Sequence, residues 1–350
     1  MASGLYSFLA PAVRNNSCCN FRIIKIFDLA TIYLYRKALE AGSEHMPEWK
    51  VAPAKVSFRG RSLREILNLH RAWLEDRGGE RANLKGATLS DVDLQKADLR
   101  RAILTGATFL DANLSHANFS GADLNKCDFR NATLFRTDFG GADLVRANFQ
   151  RCQLAESNFS EAHILGSIYR DANMRDCRLY EVQLKSCDFT NANLHSSFFN
   201  HAIISECGFN EANMEKCNFF RARIQSCRFV AANLVEANLT SAQVSDCDFQ
   251  GADLNSARFS LANLSQSIFC RATMSGCDLS QSNLSAADFS GAVLLNSLFS
   301  SANLMATDFR GSVLEGARGF TGRQLAQSLT SFSTILPSGT RGPFTQNSII

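Results

Sequence analysis

Between Ala82 and Arg318 the sequence repeats a five-residue pattern without a slip, and few folds can accept such a period. Every position ending in 4 or 9 from Leu84 to Leu314 is Leu, Ile, Val, Met, Phe or Tyr. Two residues before each stands a small side chain, nearly always Ala, Cys, Ser or Thr. Five fits neither the helical period of about 3.6 nor the strand period of about 2. It fits a short strand followed by a corner. In Ala122-Asp123-Leu124, side chains alternate, so Ala122 and Leu124 face one way and Asp123 the other. Asn125 and Lys126 then turn the chain. Each pentad is one face of a coil, and stacked coils bury a continuous core.

A second period sets the number of faces. Positions ending in 4 are mostly aliphatic (Leu124, Leu184, Leu234, Leu264) and those ending in 9 mostly aromatic (Phe129, Phe189, Phe229, Phe249). A three-faced coil would set each Phe over a Leu. A four-faced coil sets Phe over Phe and Leu over Leu, with rings free to stack at a strand spacing of roughly 4.8 Å. The expectation is therefore an all-β solenoid of square section with about twelve coils, on the order of 57 Å long.

Tandem A(D/N)LXX units, as in Ala122-Asp123-Leu124-Asn125-Lys126 and Ala302-Asn303-Leu304-Met305-Ala306, resemble those of pentapeptide-repeat proteins. The resemblance implies a right-handed quadrilateral β-helix, in line with the usual hand of parallel crossovers.

Segments outside the repeat read as caps and tails. Residues 1–45 form a leader, poorly ordered or amphipathic. Its Met1–Phe27 stretch has no acid, which leaves organelle targeting open, and Cys18-Cys19 beside the apolar run 23–35 leaves membrane contact through 18–35 open. That run carries Lys25 and Asp28 and is shorter than the roughly 20 residues of a membrane span. Residues 46–81 form an N-terminal capping segment. Within it a helix is expected over 62–77, with Ser62-Leu63-Arg64-Glu65 as capping box, a stripe of Leu63, Ile66, Leu67, His70, Trp73 and Leu74, and Gly78-Gly79 as its end. His70 on that stripe is read as a packed or capping residue. After the repeat region 82–318, a capping helix is expected within 319–336, opened by the box Thr321-Gly322-Arg323-Gln324, and a flexible tail over 337–350. Family members sometimes pair two rods through such a C-terminal cap, so the resemblance makes 320–350 the candidate dimer surface. A solenoid needs lids because each end exposes an unpaired strand edge and an open core.

Chemistry finds little purchase. Nine of the 12 cysteines (Cys127, Cys152, Cys177, Cys187, Cys207, Cys217, Cys227, Cys247, Cys277) occupy the inward small-residue slot. They lack the paired spacing of zinc sites and read as small apolar fillers, and so many unpaired thiols suit a reducing cytoplasm. Cys270 alone of the repeat cysteines points outward and reads as the most reactive thiol. His116, His163, His195 and His201 fall on different columns, so no nucleophile, base and orienter converge. No cofactor, metal or catalytic residue is assigned, and the chain reads as non-enzymatic.

Three kinds of partner remain. Quinolone-resistance members of the family mimic DNA toward DNA gyrase. Here the charge speaks against that, because a duplex as long as the rod shows about 34 phosphates. The repeat region carries 25 acids against 21 bases. Nucleic acid has one weak cluster, Lys126 and Arg146 at one corner and Arg130, Arg151 and Arg170 at the next, with Asp128 between them. A protein partner has a better surface. Tyr180, Phe198 and Phe220 stand in outward slots that normally hold polar residues, beside Arg178 and Arg221. Corner aromatics lying flat on their own rod are the alternative account of these residues.

Overall fold

A computed structural model of the chain describes residues 51–345. Four vertical ladders of parallel bridges run through it, from Asn83 to Asn303, Thr88 to Asp308, Asp93 to Val313 and Asp98 to Arg318. Each bridge joins residue i to i+20, so one coil has four faces and twenty residues. The backbone bonds follow: Leu124 N–H reaches Asp143 O one coil on (2.9 Å) and Asp123 N–H reaches Ala102 O one coil back (3.0 Å). On the first ladder the pairing widens into five extended strands, β3 (His163–Leu165), β4 (Gln183–Lys185), β5 (Ile203–Ser205), β6 (Arg223–Gln225) and β7 (Gln243–Ser245). The parallel square solenoid expected from the sequence is the observed fold.

The interior is built of like-on-like columns. Phe229 and Phe249 stack with centroids 4.6 Å apart and planes within 3°. Across the core the two aromatic columns meet edge to face, as Phe129 and Phe139 do at 6.0 Å. Leu124, Leu184, Leu234 and Leu264 are all buried. Offset stacks within a column and T-shaped contacts between columns are the two favoured arrangements of an aromatic quadrupole, so one packing satisfies both.

Corners explain the polar half of the motif. Ala122 N–H closes a turn onto Phe119 O (2.9 Å), and the residue before it, Gly121, takes φ 63°. The same left-handed slot holds Lys126 at φ 60°. Where a face carries Asp or Asn, that side chain feeds the next corner: Asp123 Oδ1 accepts Asn125 N–H (3.1 Å), Asn193 accepts His195 N–H and Asn238 accepts Thr240 N–H. A short side-chain acceptor two residues upstream meets a backbone donor that the turn leaves open, hence Asp or Asn. On the third ladder these amides also bond one another, Asn233 Nδ2 to Asn213 Oδ1 at 3.1 Å.

Both ends are covered. Val51 adds a parallel bridge to Val92, and a small hairpin, β1 (Ser57–Phe58) with β2 (Arg61–Ser62), leads into α1 (Leu63–Leu74). Ser62 Oγ accepts Glu65 N–H, which is half of the expected capping box. The helix expected to reach residue 77 stops at Leu74: Asp76 turns left-handed (φ 51°), and Gly79 passes so close to Leu69 O that a Cβ would lie 2.2 Å from it. At the far end the repeat breaks at Gly319, where φ is 83° and a Cβ would lie 2.5 Å from Ser300 N. Thr321 and Gln324 form a complete capping box, yet α2 is only Gly322–Ala326. The expected helix over 319–336 is shorter because the chain resumes the ladders, Leu329 pairing with Asp308 and Ile335 with Val313. The flexible tail expected from residue 337 is instead held through Phe344: Gly316 N–H bonds Pro337 O, Ile335 pairs with Arg341, and Phe344 N–H bonds Thr330 Oγ1. The leader 1–45, with the membrane contact expected through 18–35, lies outside the described residues. Among those described, no helix is long and apolar enough to cross a membrane.

Candidate partner-binding surface

Arg178 and Phe198 are successive rungs of the ladder that runs from Asp98 to Arg318, and Tyr180, Asn200 and Phe220 are successive rungs of the corner that follows it. Twenty-residue coils thus bring together the five residues the sequence singled out. Tyr180 and Phe198 are each 37% exposed and stack on one another at 5.7 Å. Phe220 is half-buried, with the Arg221 guanidinium 4.9 Å over its ring and His201 against its edge at 6.1 Å. Stacked on one another, the two rings still leave more than a third of Tyr180 and Phe198 in water. In the corner column between Tyr180 and Phe220, the Asn200 side chain has a buried Oδ1 without a hydrogen-bond donor. Phe198 and Arg178 also border an open groove of about 580 Å³ that continues past Asp176, Glu156 and Arg136.

Two neighbours complete the surface and were missed from sequence. Ile203, 47% exposed on β5, lies across the corner from Phe198, and Leu261, 54% exposed, sits two coils beyond Arg221 on the same corner column. Both occupy outward slots, and the twenty-residue register would have placed them here.

Remaining groups are placed in ways that limit their chemistry. All nine inward cysteines are buried and free. They do more than fill space, because the thiol also donates one coil back: Cys127 Sγ to Leu104 O (3.1 Å) and Cys217 Sγ to Leu194 O (3.0 Å), just as Ser297 Oγ does to Met274 O (2.7 Å). Burial pushes Cys127, Cys217 and Cys277 up to about 12. In the column Cys187–Cys207–Cys227–Cys247, hydrogen bonding between neighbouring thiols pushes Cys207 and Cys247 up and draws Cys187 and Cys227 down. Cys270, expected to be the reactive thiol, is half-buried and donates to Asp288 Oδ2 at 3.0 Å. Burial first and that carboxylate second raise its pKa, which disfavours the thiolate. In the basic cluster, Arg130 is paired with Asp128 (2.7 Å) and Arg170 with Asp188, which offsets part of its positive charge. Among the described residues no three metal-ligating side chains converge.

A family model described as a pentapeptide repeat region matches residues 82–159 and 202–276, and one for pentapeptide repeats, in eight copies, matches 152–195 and 282–318. The chain belongs to the pentapeptide-repeat family. No curated protein matches it. Among solved pentapeptide-repeat structures, it is similar to HetL, involved in heterocyst differentiation regulation in the cyanobacterium Nostoc sp. strain PCC 7120, at 23% identity over 77% of this chain and 96% of that one, TM-score 0.27. Full-length QnrB1, a plasmid-mediated fluoroquinolone resistance protein, is 17% identical over 74% and 93%, TM-score 0.22. A thylakoid-lumen member from Arabidopsis thaliana is 18% identical over 43% and 79%, TM-score 0.14.

Proposed function

We propose that this pentapeptide-repeat protein is a non-catalytic scaffold that binds a protein partner through Arg178, Tyr180, Phe198, Phe220 and Arg221. The observation that carries the reading is the part-exposed ring pair Tyr180–Phe198 on a rod whose outward positions are otherwise largely polar. Aromatic and arginine side chains on one small surface are the composition of an interface hot spot. Among the described residues the core is filled, and the groove beside Arg178 is open to solvent rather than enclosed. The rod works in the cytoplasm, where its unpaired thiols stay reduced. Affinity capture on the full chain and on a Phe198→Asp/Phe220→Asp variant tests the site. Partners recovered by the wild type should be lost by the variant, and an unchanged set refutes the assignment.

A further inference from the structure

The charge around this corner differs from that of the rod as a whole. Take the last-ladder face, the corner and the first-ladder face between Arg178 and Asn263. They hold Arg178, Arg221, Arg223 and Arg258 against the single carboxylate of Glu181, although acids outnumber bases along the repeat region. All four arginines are exposed, and none has a carboxylate within ion-pair distance among the described residues, whereas Arg100, Arg130, Arg136 and Arg310 elsewhere each hold one. The arginines surround Tyr180, Phe198, Ile203, Phe220 and Leu261. Below Tyr180 the sign reverses, with Glu161 on the corner one coil down and Asp143 on the adjoining face two coils down.

We infer that this edge recognises an acidic, apolar peptide segment of its protein partner, with Asp or Glu side chains meeting the four arginines and aromatic or aliphatic side chains packing on the ring cluster. The inference rests on the proposed function and adds the chemistry of the partner. Covering four unpaired guanidinium groups with a neutral surface would cost desolvation energy without return, so the occupant has to bring carboxylates. Single-stranded nucleic acid, the other polyanion, needs open ring faces for its bases. Here Arg221 already covers Phe220, Tyr180 and Phe198 cover each other, and Ile203 and Leu261 are aliphatic. From Arg178 to Leu261 the patch spans four coil spacings, about 19 Å, the length of roughly six extended residues.

The test pans the full-length chain against a phage-displayed library of random dodecapeptides, with oligo-dT as a parallel probe. Selected peptides should combine Asp or Glu with Trp, Phe or Leu. Their affinity should fall about tenfold or more on Arg178→Glu/Arg221→Glu/Arg223→Glu/Arg258→Glu and more mildly on the four Gln replacements, with circular dichroism unchanged in both variants. The inference is overturned if no peptide is enriched, if the selected peptides carry no acidic excess, or if oligo-dT binds more tightly with the same arginine dependence. Loss of binding in Phe198→Asp/Phe220→Asp with none on charge reversal overturns the acidic partner and keeps the protein-binding patch. Indifference to both sets overturns both.

Discussion

His70 offers the sharpest test of how the rod is closed. Its ring is fully buried beneath the first coil, where Nδ1 accepts Ala82 N–H (3.1 Å) and Nε2 lies 3.0 Å from Arg100 O. Accepting at Nδ1 fixes the tautomer, so Nε2–H donates and the imidazole is neutral. One side chain thereby satisfies a donor and an acceptor that the end of the solenoid would leave open. Removing it in His70→Ala orphans both groups, at about 1–3 kcal/mol for each buried polar atom left unpaired, or about 2–4 kcal/mol allowing for some water entry. Protonation does related damage, because an imidazolium cannot accept from Ala82. Burial, the largest influence, holds the folded pKa below the ordinary 6.5. The unfolded chain therefore binds the proton first. Stability is complete above pH 6.5 and is lost as pH falls below it, by up to about 1.4 kcal/mol per pH unit until the folded pKa is passed. A solenoid frays from its ends, so the effect belongs to the first coils. Hydrogen exchange should show faster opening around Ala82–Leu104 at pH 5.5 than at pH 7.5 after correction for intrinsic rates. His70→Gln, which can accept and donate without titrating, should lose that difference. Equal pH dependence in wild type and His70→Gln would refute the argument.

Tyr169 occupies the Phe column between Phe149 and Phe189, and its buried hydroxyl has no partner. Tyr169→Phe should raise the denaturation midpoint, by about 1–3 kcal/mol at most, and a lower midpoint would mean that the hydroxyl is satisfied. Leu234→Asp should unfold the neighbouring coils, since an unpaired buried charge costs several kcal/mol, and unchanged melting would contradict its inward position. A native-state iodoacetamide pulse read by mass spectrometry should leave Cys127, Cys217 and Cys277 unlabelled and modify Cys270 only slowly. Fast labelling of Cys270 would show that Asp288 does not hold its proton in place.

The interior was legible in the sequence because a coil has one way to repeat: volume at each inward slot must match the slots above and below, so Phe129, Phe189 and Leu184 declare their columns. Residues at the ends obey no such rule. The apolar stripe of α1 was readable, but its stop depended on the turn at Asp76 and the tight passage of Gly79. The tail looked loose by composition because nothing in Pro337–Phe344 announces that Gly316 and Thr330 will hold it. Cysteine was readable as small and buried, not as a donor to the carbonyl of the preceding coil, since that bond exists only once the coils are stacked. The surface proposed for a partner was half visible: unusual outward aromatics stand out, whereas Ile203 and Leu261 join them only through register.

That surface also departs from a rule that holds at most rungs of its face, though Leu298 and Arg318 further along break it as well. Along the ladder from Asp98 to Arg318, Asn118, Asp138, Asn158, Asn218, Asn238 and Asp278 each accept the N–H of the corner residue two places on. Arg178 and Phe198 carry no such acceptor, so the Tyr180 and Asn200 N–H groups go without that bond. A change that forgoes local stability and exposes an aromatic ring is the mark of a residue kept for contact. Phe198→Asn restores the missing acceptor and should stabilise the rod by about 0.5–1.5 kcal/mol, the net value of one hydrogen bond. It should at the same time weaken the partner, because the ring that Tyr180 stacks on is gone. Thermal denaturation and binding to a selected peptide, measured on the same preparation, report the two effects separately. A variant that melts earlier than wild type would show that Phe198 serves the rod itself, and the case for a binding surface at this corner would lose its central residue.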